Sequence, residues 1–553
     1  MKQERRVLIV HKDYVVIIRK LKSSEYIVKF CGDTNMCGIT VRSKICGIES
    51  KISHRGPNVT KVVSQGDYYF IFHRLAIIDT TTNANQPFSN DSLIMACNGE
   101  IFNYKTLKHQ YDYDYKSDSD CEVILPMFDN LTMKQLCNQL DGEFAFVIYD
   151  KNKNKIYASR DPIGIRPLFY GYTKDNQIAF SSELKDLFDY CDNVYPFPPG
   201  NYFDGENFIP YYEVHQLNLA IHNQPEQILD NINLLLRSAV EKRLDADVPL
   251  GFLLSGGLDS SLVCAIASQS INKPIVTFAI GLEDNPIDLK YANKVANYIG
   301  SKHHEIIFSY QDIKSVLEDV IWHTETWDIT TIRASIPMFL LCRYIKNNTN
   351  IKVVLTGEVS DELFGYKYTD YAPNAFEFQL EAQKRITELH MYDVLRADRC
   401  IAGNGLEARV PFADKYFVDY VMNIDPKLKL NTYGMGKYLL RQAFVKDKLL
   451  PDEILFRDKA AFSDAVGHGL VDYLQQLANE LYTDHDFEML SSIYADNKPL
   501  SKEALMYRKI FNKLFDNQDH VITSYWLPNL TWPNCNLTDP SARFLPNYGL
   551  SGE

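Results

Sequence analysis

The sequence predicts two unlike folds in one chain, an α+β half of packed antiparallel sheets followed by an α/β half wound around a parallel sheet. Three observations carry that prediction. Between Met36 and about Tyr212 the apolar runs are short, β-rich and broken by turn residues. Beyond a polar stretch near Tyr211–Gln227, apolar strands alternate with helical patterns, as in βαβ units. At 553 residues, 46% hydrophobic and 23% charged, the chain is too long for one ordinary domain and apolar enough for more than one core. The expected division is an extension (1–36), a first domain (37–213), a second (214–535) and a C-terminal tail (536–553).

In the extension, basic residues surround Val15–Ile18, an apolar run too short for a secretory segment and β-branched enough for a strand or hairpin. In the first domain, Tyr69–Phe72, Ala76–Asp79, Leu93–Cys97, Phe144–Tyr149, Lys155–Ser159 and Leu168–Tyr172 read as strands. Asp150–Lys155 reads as a hairpin turn, and Ser119–Asn130 and Ser182–Phe188 as helical. The second domain opens with a helix over Ile228–Arg243. Strands Val248–Leu254, Ile275–Gly281, His304–Phe308 and Ile351–Thr356 then alternate with helices. Ligands of such sheets gather beyond the carboxyl ends of the strands, where Ser255, Gly281 and Glu358 lie.

Composition narrows the function classes. A net charge of −13 argues against a nucleic-acid partner, which would select a basic face. Eleven cysteines without a CxxC pair suggest reduced thiols and a cytoplasmic enzyme rather than a disulfide framework. No apolar run approaches the ~20 residues of a membrane span, so no membrane partner is expected.

Two constellations carry chemistry. Ser255-Gly256-Gly257-Leu258-Asp259-Ser260-Ser261 joins a buried strand to a helix. Its glycines admit close approach of an anion, and the helix start offers unpaired N–H groups. The P-loop lysine is absent, so this is a different phosphate loop, of the kind found where ATP is split to AMP and pyrophosphate. Asp259 would repel bare phosphate, which implies Mg²⁺ beside it; Asp361, in Gly357-Glu358-Val359-Ser360-Asp361-Glu362, is the second candidate ligand. Capping of the following helix is the simpler explanation for those acids taken alone. Lys459 is a candidate for neutralising charge on phosphate. The other constellation begins at Cys37. A cysteine exposed by loss of Met36 has an α-amine titrating near ~8, which can serve as base to its own thiol. The oxyanion would fall to the Asn98 amide and the Gly99 N–H. Arg74 suits a carboxylate, and Glu100 and Asp120 an ammonium.

These strings together resemble glutamine-hydrolysing asparagine synthetase over nearly the whole chain after Met36. They include Met36–Ile39, His54–Pro57, His73–Asp79, Asn98–Ile101, Ser119–Val123, Thr330–Ser335, His390–Asp393, Arg396–Asp398, Glu407–Phe412 and Thr538–Arg543. The resemblance implies an N-terminal-nucleophile amidase domain (an αββα sandwich) and a doubly wound ATP-pyrophosphatase domain. It further implies glutamine hydrolysis at Cys37, ammonia passed to the second site, and aspartate activated by ATP as β-aspartyl-AMP. Glutamine would lie along Arg74, Leu75, Ala76, Ile77, Ile78, Asn98, Gly99, Glu100 and Asp120. Leu253, Ile280, Thr356 and Gly357 would join the Ser255–Ser260 loop around ATP. Glu358 would form or use the intermediate, with Thr330, Arg333, Asp393, Arg396 and Lys459 toward aspartate or phosphate. Glutamine, aspartate and ATP are thus the expected small-molecule partners, Mg²⁺ the cofactor and a homodimer the assembly.

The chain departs from that pattern in four places, one of them the stretch Phe364-Gly365-Tyr366, which is one residue shorter than usual. Thirty-six residues precede the nucleophile, so Cys37 has its base only if translation starts at Met36 or the extension is cleaved. Val359 stands where the family has glycine, and Asn58 where it has aspartate. Three other readings use the same residues: an ammonia-dependent synthetase with a silent amidase half, a relative acting on another carboxylate, and an inactive regulatory homologue. Retention of Cys37, Asp259, Glu358, Asp361 and Lys459 together weighs against the inactive homologue, and glutamine-dependent synthesis is the favoured reading.

Overall fold

The computed structural model describes residues 37–56, 58–214, 222–284, 286–458, 469–516 and 518–548, with the backbone of three strands ahead of them. It forms two compact units: Met1–Glu213 with Asp245–Pro249 and Ile401–Glu407, and Val214–Leu244 with Leu250–Cys400 and Ala408–Glu553. The short return segments within the first unit are long-range associations that local patterning does not reveal.

Two antiparallel sheets make the first unit. One orders its strands Val59–Gln65, Tyr68–Arg74, Gly38–Ser43, Ile178–Ser181, Phe169–Thr173 and Cys191–Pro196. The extension adds Arg6–His11, Tyr14–Lys22 and Glu25–Phe30 as a meander at its edge, Glu25–Val28 pairing with Thr60–Val63. The other sheet centres on Leu93–Ile101 and Gly142–Asp150, paired from Leu93↔Asp150 to Ile101↔Gly142. Both of these strands are buried on both faces, so their apolar residues run almost continuously.

Period-2 alternation then decides what each residue meets. Ile94, Ala96, Ala145 and Val147 pack between the sheets against Ile39, Val41, Phe70 and Phe72. Met95, Cys97, Phe144 and Phe146 pack outward on helices Ile124–Asn130 and Met133–Gln139. Each such fully buried aromatic or aliphatic side chain contributes about 1.5–3 kcal/mol.

Two local expectations are corrected. Ala76–Asp79 is irregular rather than a strand, because its backbone bonds to a return segment. Ile77 O accepts from Asp247 N at 3.1 Å, and Asp79 N donates to the Asp247 carboxylate at 2.8 Å. Ser182–Phe188 contains a single 3₁₀ turn, Leu184–Asp186.

The second unit is wound around parallel strands in the order Lys302–Phe308, Val276–Leu282, Leu250–Leu253 and Val353–Leu355. Pro225–Lys242 opens it, with proline in its first turn and Ile228, Ile232, Leu236 and Val240 buried on one face. Helix Leu258–Ser270 is buried nearly all round, Leu262 to Ala267 without a break. Among the described residues no helix is long and apolar enough to cross a membrane.

Candidate active sites

In the first unit, strand parity places Asn98 and Glu100 on the same face as Ile94 and Ala96, toward the sheet that carries Cys37. The Asn98 Nδ2 donor is buried with no hydrogen-bond partner among the described residues. A buried amide donor left unpaired costs about 1–3 kcal/mol, a cost that an arriving oxyanion would remove. Gly99 follows where a Cβ would lie 2.3 Å from Glu143 O, so only glycine permits this approach of strands.

Cys37 is partly exposed. Its thiol donates to Leu75 O at 3.3 Å and accepts from Leu75 N at 3.2 Å. Burial pushes the thiol up to about 12, although the Leu75 hydrogen bond and the Arg74 charge pull the other way. With Met36 attached its nitrogen is an amide, so this thiol has no base of its own. Arg55 pins the nucleophile: Nε donates to Cys37 O at 3.0 Å while Nη1 holds Glu183 at 2.6 Å. Arg55 lies in the His54–Pro57 string, yet an internal buried pair gives no signal in sequence alone.

Arg74 turns inward to Thr81 O and the Asn85 amide at 2.5 and 2.7 Å, and to Asp79 O, shaping the loop after Leu75–Ile78. Ala76 N donates to Asn58 Oδ1 at 3.1 Å, so the amide at position 58 still anchors this loop. Asp120 accepts from Ile101 N at 2.7 Å; burial nevertheless raises its pKa. Glu100 is buried nearby.

In the second unit a cavity of about 540 Å³ opens at the carboxyl ends of the parallel strands. Leu253, Ser255, Gly257, Asp259, Ser260, Ile280, Thr356 and Gly357 line one side. Thr330, Arg333, Glu358, Asp361, Asp393 and Arg396 line another. Gly256 stays behind the lining for a steric reason. At φ +73° a Cβ there would lie 2.4 Å from Ala292 N. Arg457, which also lines the cavity, fastens the loop, donating to Gly256 O at 3.0 Å and to Asp288 at 2.9 Å. Ser255 and Ser260 hydroxyls meet at 3.1 Å, closing it.

The acids sort into two groups. Arg396 Nη2 bonds Glu358 at 2.6 Å and Asp393 at 2.8 Å. Lys437 Nζ sits 2.7 Å from Asp259 and 2.9 Å from Asp361, joining the two expected metal ligands through one cation. Lys437 carries no motif, and no sequence signal singled it out. Two carboxylates converging on one positive group make an oxygen-rich place built for a cation. Among the described residues no cluster of three or more ligating side chains exists. Glu362 is held well above the carboxylate range by burial and by Asp393 and Asp361, and receives the Tyr366 hydroxyl proton donor.

Val359, between these groups, is in the left-handed region at φ 80°, ψ −15°, and 2% exposed. That is the strain expected of a β-branched residue at a glycine position. Arg333 enters in a different role from the one expected: its nitrogens are spent on Glu503, Asp539 and Ser541, at 2.6–2.9 Å. Thr330 Oγ1 reaches Trp526 O at 3.5 Å. Lys459 lies outside the described residues.

Fold and sites together define the class in which a glutamine amidotransferase domain is joined to an ATP-splitting synthetase domain. A family model described as "Glutamine amidotransferase domain" matches residues 30–236, and one described as "Asparagine synthase" matches 231–385 and 372–538. A probable glutamine-hydrolysing asparagine synthetase of Acanthamoeba polyphaga mimivirus is 44% identical over 90% of this chain and 95% of its own. That of Dictyostelium discoideum is 39% identical (92% and 98%), and that of Asparagus officinalis 39% (94% and 92%). The chain belongs to the glutamine-hydrolysing asparagine synthetase family.

Proposed function

We propose that this chain makes asparagine from aspartate with glutamine as nitrogen donor and ATP as activator. The observation that carries the reading is the pairing, in one chain, of a thiol on the sheet toward which an unpartnered buried amide donor is turned with an acid-and-cation cavity at a phosphate loop. Cys37 Sγ would attack the glutamine carboxamide once its own α-amine is exposed to take the thiol proton. Asn98 Nδ2 and Gly99 N–H would hold the oxyanion. Leu75–Ile78 would flank the substrate, and Glu100 and Asp120 would face its ammonium. Arg74 would act by shaping the loop that meets the carboxylate. Ammonia leaves, and water then releases glutamate from the thioester.

In the second unit the aspartate β-carboxylate would attack the α-phosphorus of ATP bound along Leu253, Ser255–Ser260, Ile280, Thr356 and Gly357. Pyrophosphate departs, and ammonia then displaces AMP. Glu358, aligned by Arg396, sits where it can take a proton from the attacking ammonia. Thr330, Asp393 and Arg396 would orient aspartate. Asp259 and Asp361 would hold Mg²⁺, which when bound neutralises phosphate charge. Lys437 would pass from the acids to the phosphates, and Lys459 would add a second positive group. Acids outnumber cations among the described residues lining this cavity, so ATP would enter more readily as its magnesium complex than as the bare tetra-anion.

A donor swap tests the reading: asparagine, AMP and pyrophosphate are measured with glutamine or with ammonium, for the parent chain begun at Cys37 and for Cys37→Ala. Cys37→Ala should lose glutamine-driven synthesis alone. Absence of asparagine with both donors in the parent chain would sink the proposal. The expected cytoplasmic homodimer is checked separately by fractionation and sedimentation.

A further inference from the structure

One wall of the adenylating cavity comes from the end of the chain. Trp526, Pro528, Pro540, Ser541, Leu545 and Asn547 line it. This segment has almost no regular structure, a single 3₁₀ turn at Ala542–Phe544, so it holds its place by specific bonds. Arg333, 2% exposed, makes a two-pronged contact with Glu503 at 2.6–2.8 Å. With the remaining donors it grips Asp539 twice at 2.9 Å and the Ser541 hydroxyl at 2.9 Å. Gln475 adds a bond to Asp539 at 3.1 Å, and Asn547 donates to Lys367 O and Asp370 at 2.9 Å. Upstream, Trp526 N donates to Asp328 at 2.7 Å. The Trp526 ring stands edge-on to Tyr366, whose hydroxyl bonds Glu362 and Asp393. The segment therefore bears directly on the acids of the site.

An acyl adenylate needs such a wall. Attack by ammonia breaks the bond between the acyl carbon and the AMP oxygen and yields amide plus AMP. Attack by water breaks the same bond, returning the carboxylate and AMP, with ATP spent for nothing. We propose that the segment 526–548, latched by Arg333 through Asp539 and Ser541, is the water-excluding wall that sets this partition. Arg333 is then a positioning residue for the wall. The inference rests on the adenylating function proposed above.

The test is the ratio of pyrophosphate released to asparagine formed, at saturating ammonium, in the full chain and in Asp539→Asn/Ser541→Ala. Both substitutions are nearly isosteric and keep the Arg333–Glu503 pair. The expected result is a ratio near one in the parent and raised several-fold in the variant, with faster proteolytic cleavage after Trp526. Asp539→Glu, which keeps the charge, should restore part of the coupling when combined with native Ser541. Should the ratio stay near one while both rates are unchanged or fall in parallel, the proposal is overturned, because a merely structural role lowers both products alike. If a variant does not fold, as judged by its melting profile, Asp539→Asn alone is used with the same criterion. A parent that forms neither product would instead count against the adenylating function itself.

Discussion

With Met36 attached, Cys37 should be a poor nucleophile by a margin that can be calculated. Burial raises its thiol from the ordinary 9.0 to about 12. At pH 8 the thiolate fraction is then about 10⁻⁴, against about 0.1 for an ordinary cysteine, a deficit of roughly a thousandfold. A thiolate of higher pKa is intrinsically more reactive. With a Brønsted slope of ~0.45, some three units return about twentyfold. The net expectation is reaction roughly 50-fold slower than a free thiol toward an aromatic disulfide. The sign with pH follows. The reactive form accumulates only as pH rises toward 12, so the rate should climb about tenfold per unit from pH 7 to 10 without levelling. The assay is stopped-flow disulfide exchange on a Cys31→Ser background, because the other described cysteines are buried. Removing residues 1–36 should bring in glutaminase activity with an apparent pKa near that of an α-amine, about 8. A plateau below pH 9, or glutamate release by chains whose intact mass begins at Met1, would refute the reasoning.

Three further outcomes follow from single contacts. Asn98→Ala should cost about 10²–10³ in glutamine-driven turnover and leave ammonia-driven synthesis unchanged, since only the oxyanion donor is lost; equal loss with both donors would contradict that assignment. Lys437→Met removes charge-assisted bonds worth about 1.5–3 kcal/mol and should lower kcat/KM for ATP some ten- to hundredfold, read by pyrophosphate release. His73 is fully buried, and burial lowers its pKa to about 4. The unfolded chain takes up that proton below about 6.5 while the native form does not, so stability should fall by up to about 3 kcal/mol between pH 6.5 and 4. Urea titrations of parent and His73→Gln across that window test it, the variant being the flatter.

Much of this architecture is legible in sequence because it is local. The Ser255–Ser261 loop, the strand end at Glu358 and the alternation around Asn98 depend on a few neighbouring residues, and each lies where period and turn chemistry place it. What is hidden depends on partners far along the chain. Lys437 meets Asp259 across 178 positions, and Arg333 meets Asp539 across 206. No periodicity reports such a meeting. Arg74 and Arg333 have the right chemistry for a substrate carboxylate. Burial turns both toward protein acceptors, since a buried guanidinium must fill its donors wherever acceptors lie closest. The strand expected at Ala76–Asp79 fails for the same reason, its backbone bonding to the distant Asp247.

Val359 shows why strain can sit at this point in the chain. Glu358 bonds Arg396, Ser360 donates to Asp259 at 2.8 Å, and Asp361 pairs with Lys437. Three nearly consecutive residues thus meet three different partners, and an extended or right-handed residue at 359 would turn them otherwise. A left-handed residue reverses the backbone in one step, at a cost of about 1–2 kcal/mol for a side chain that carries a Cβ. The isopropyl group, 2% exposed, offsets this with about 1.5–3 kcal/mol of burial. Val359→Gly should therefore change stability by only about 1 kcal/mol in calorimetric melting and keep pyrophosphate release, strain and burial being lost together. A loss of more than about 3 kcal/mol would mean that the turn is unstrained and that packing alone fixes the acids.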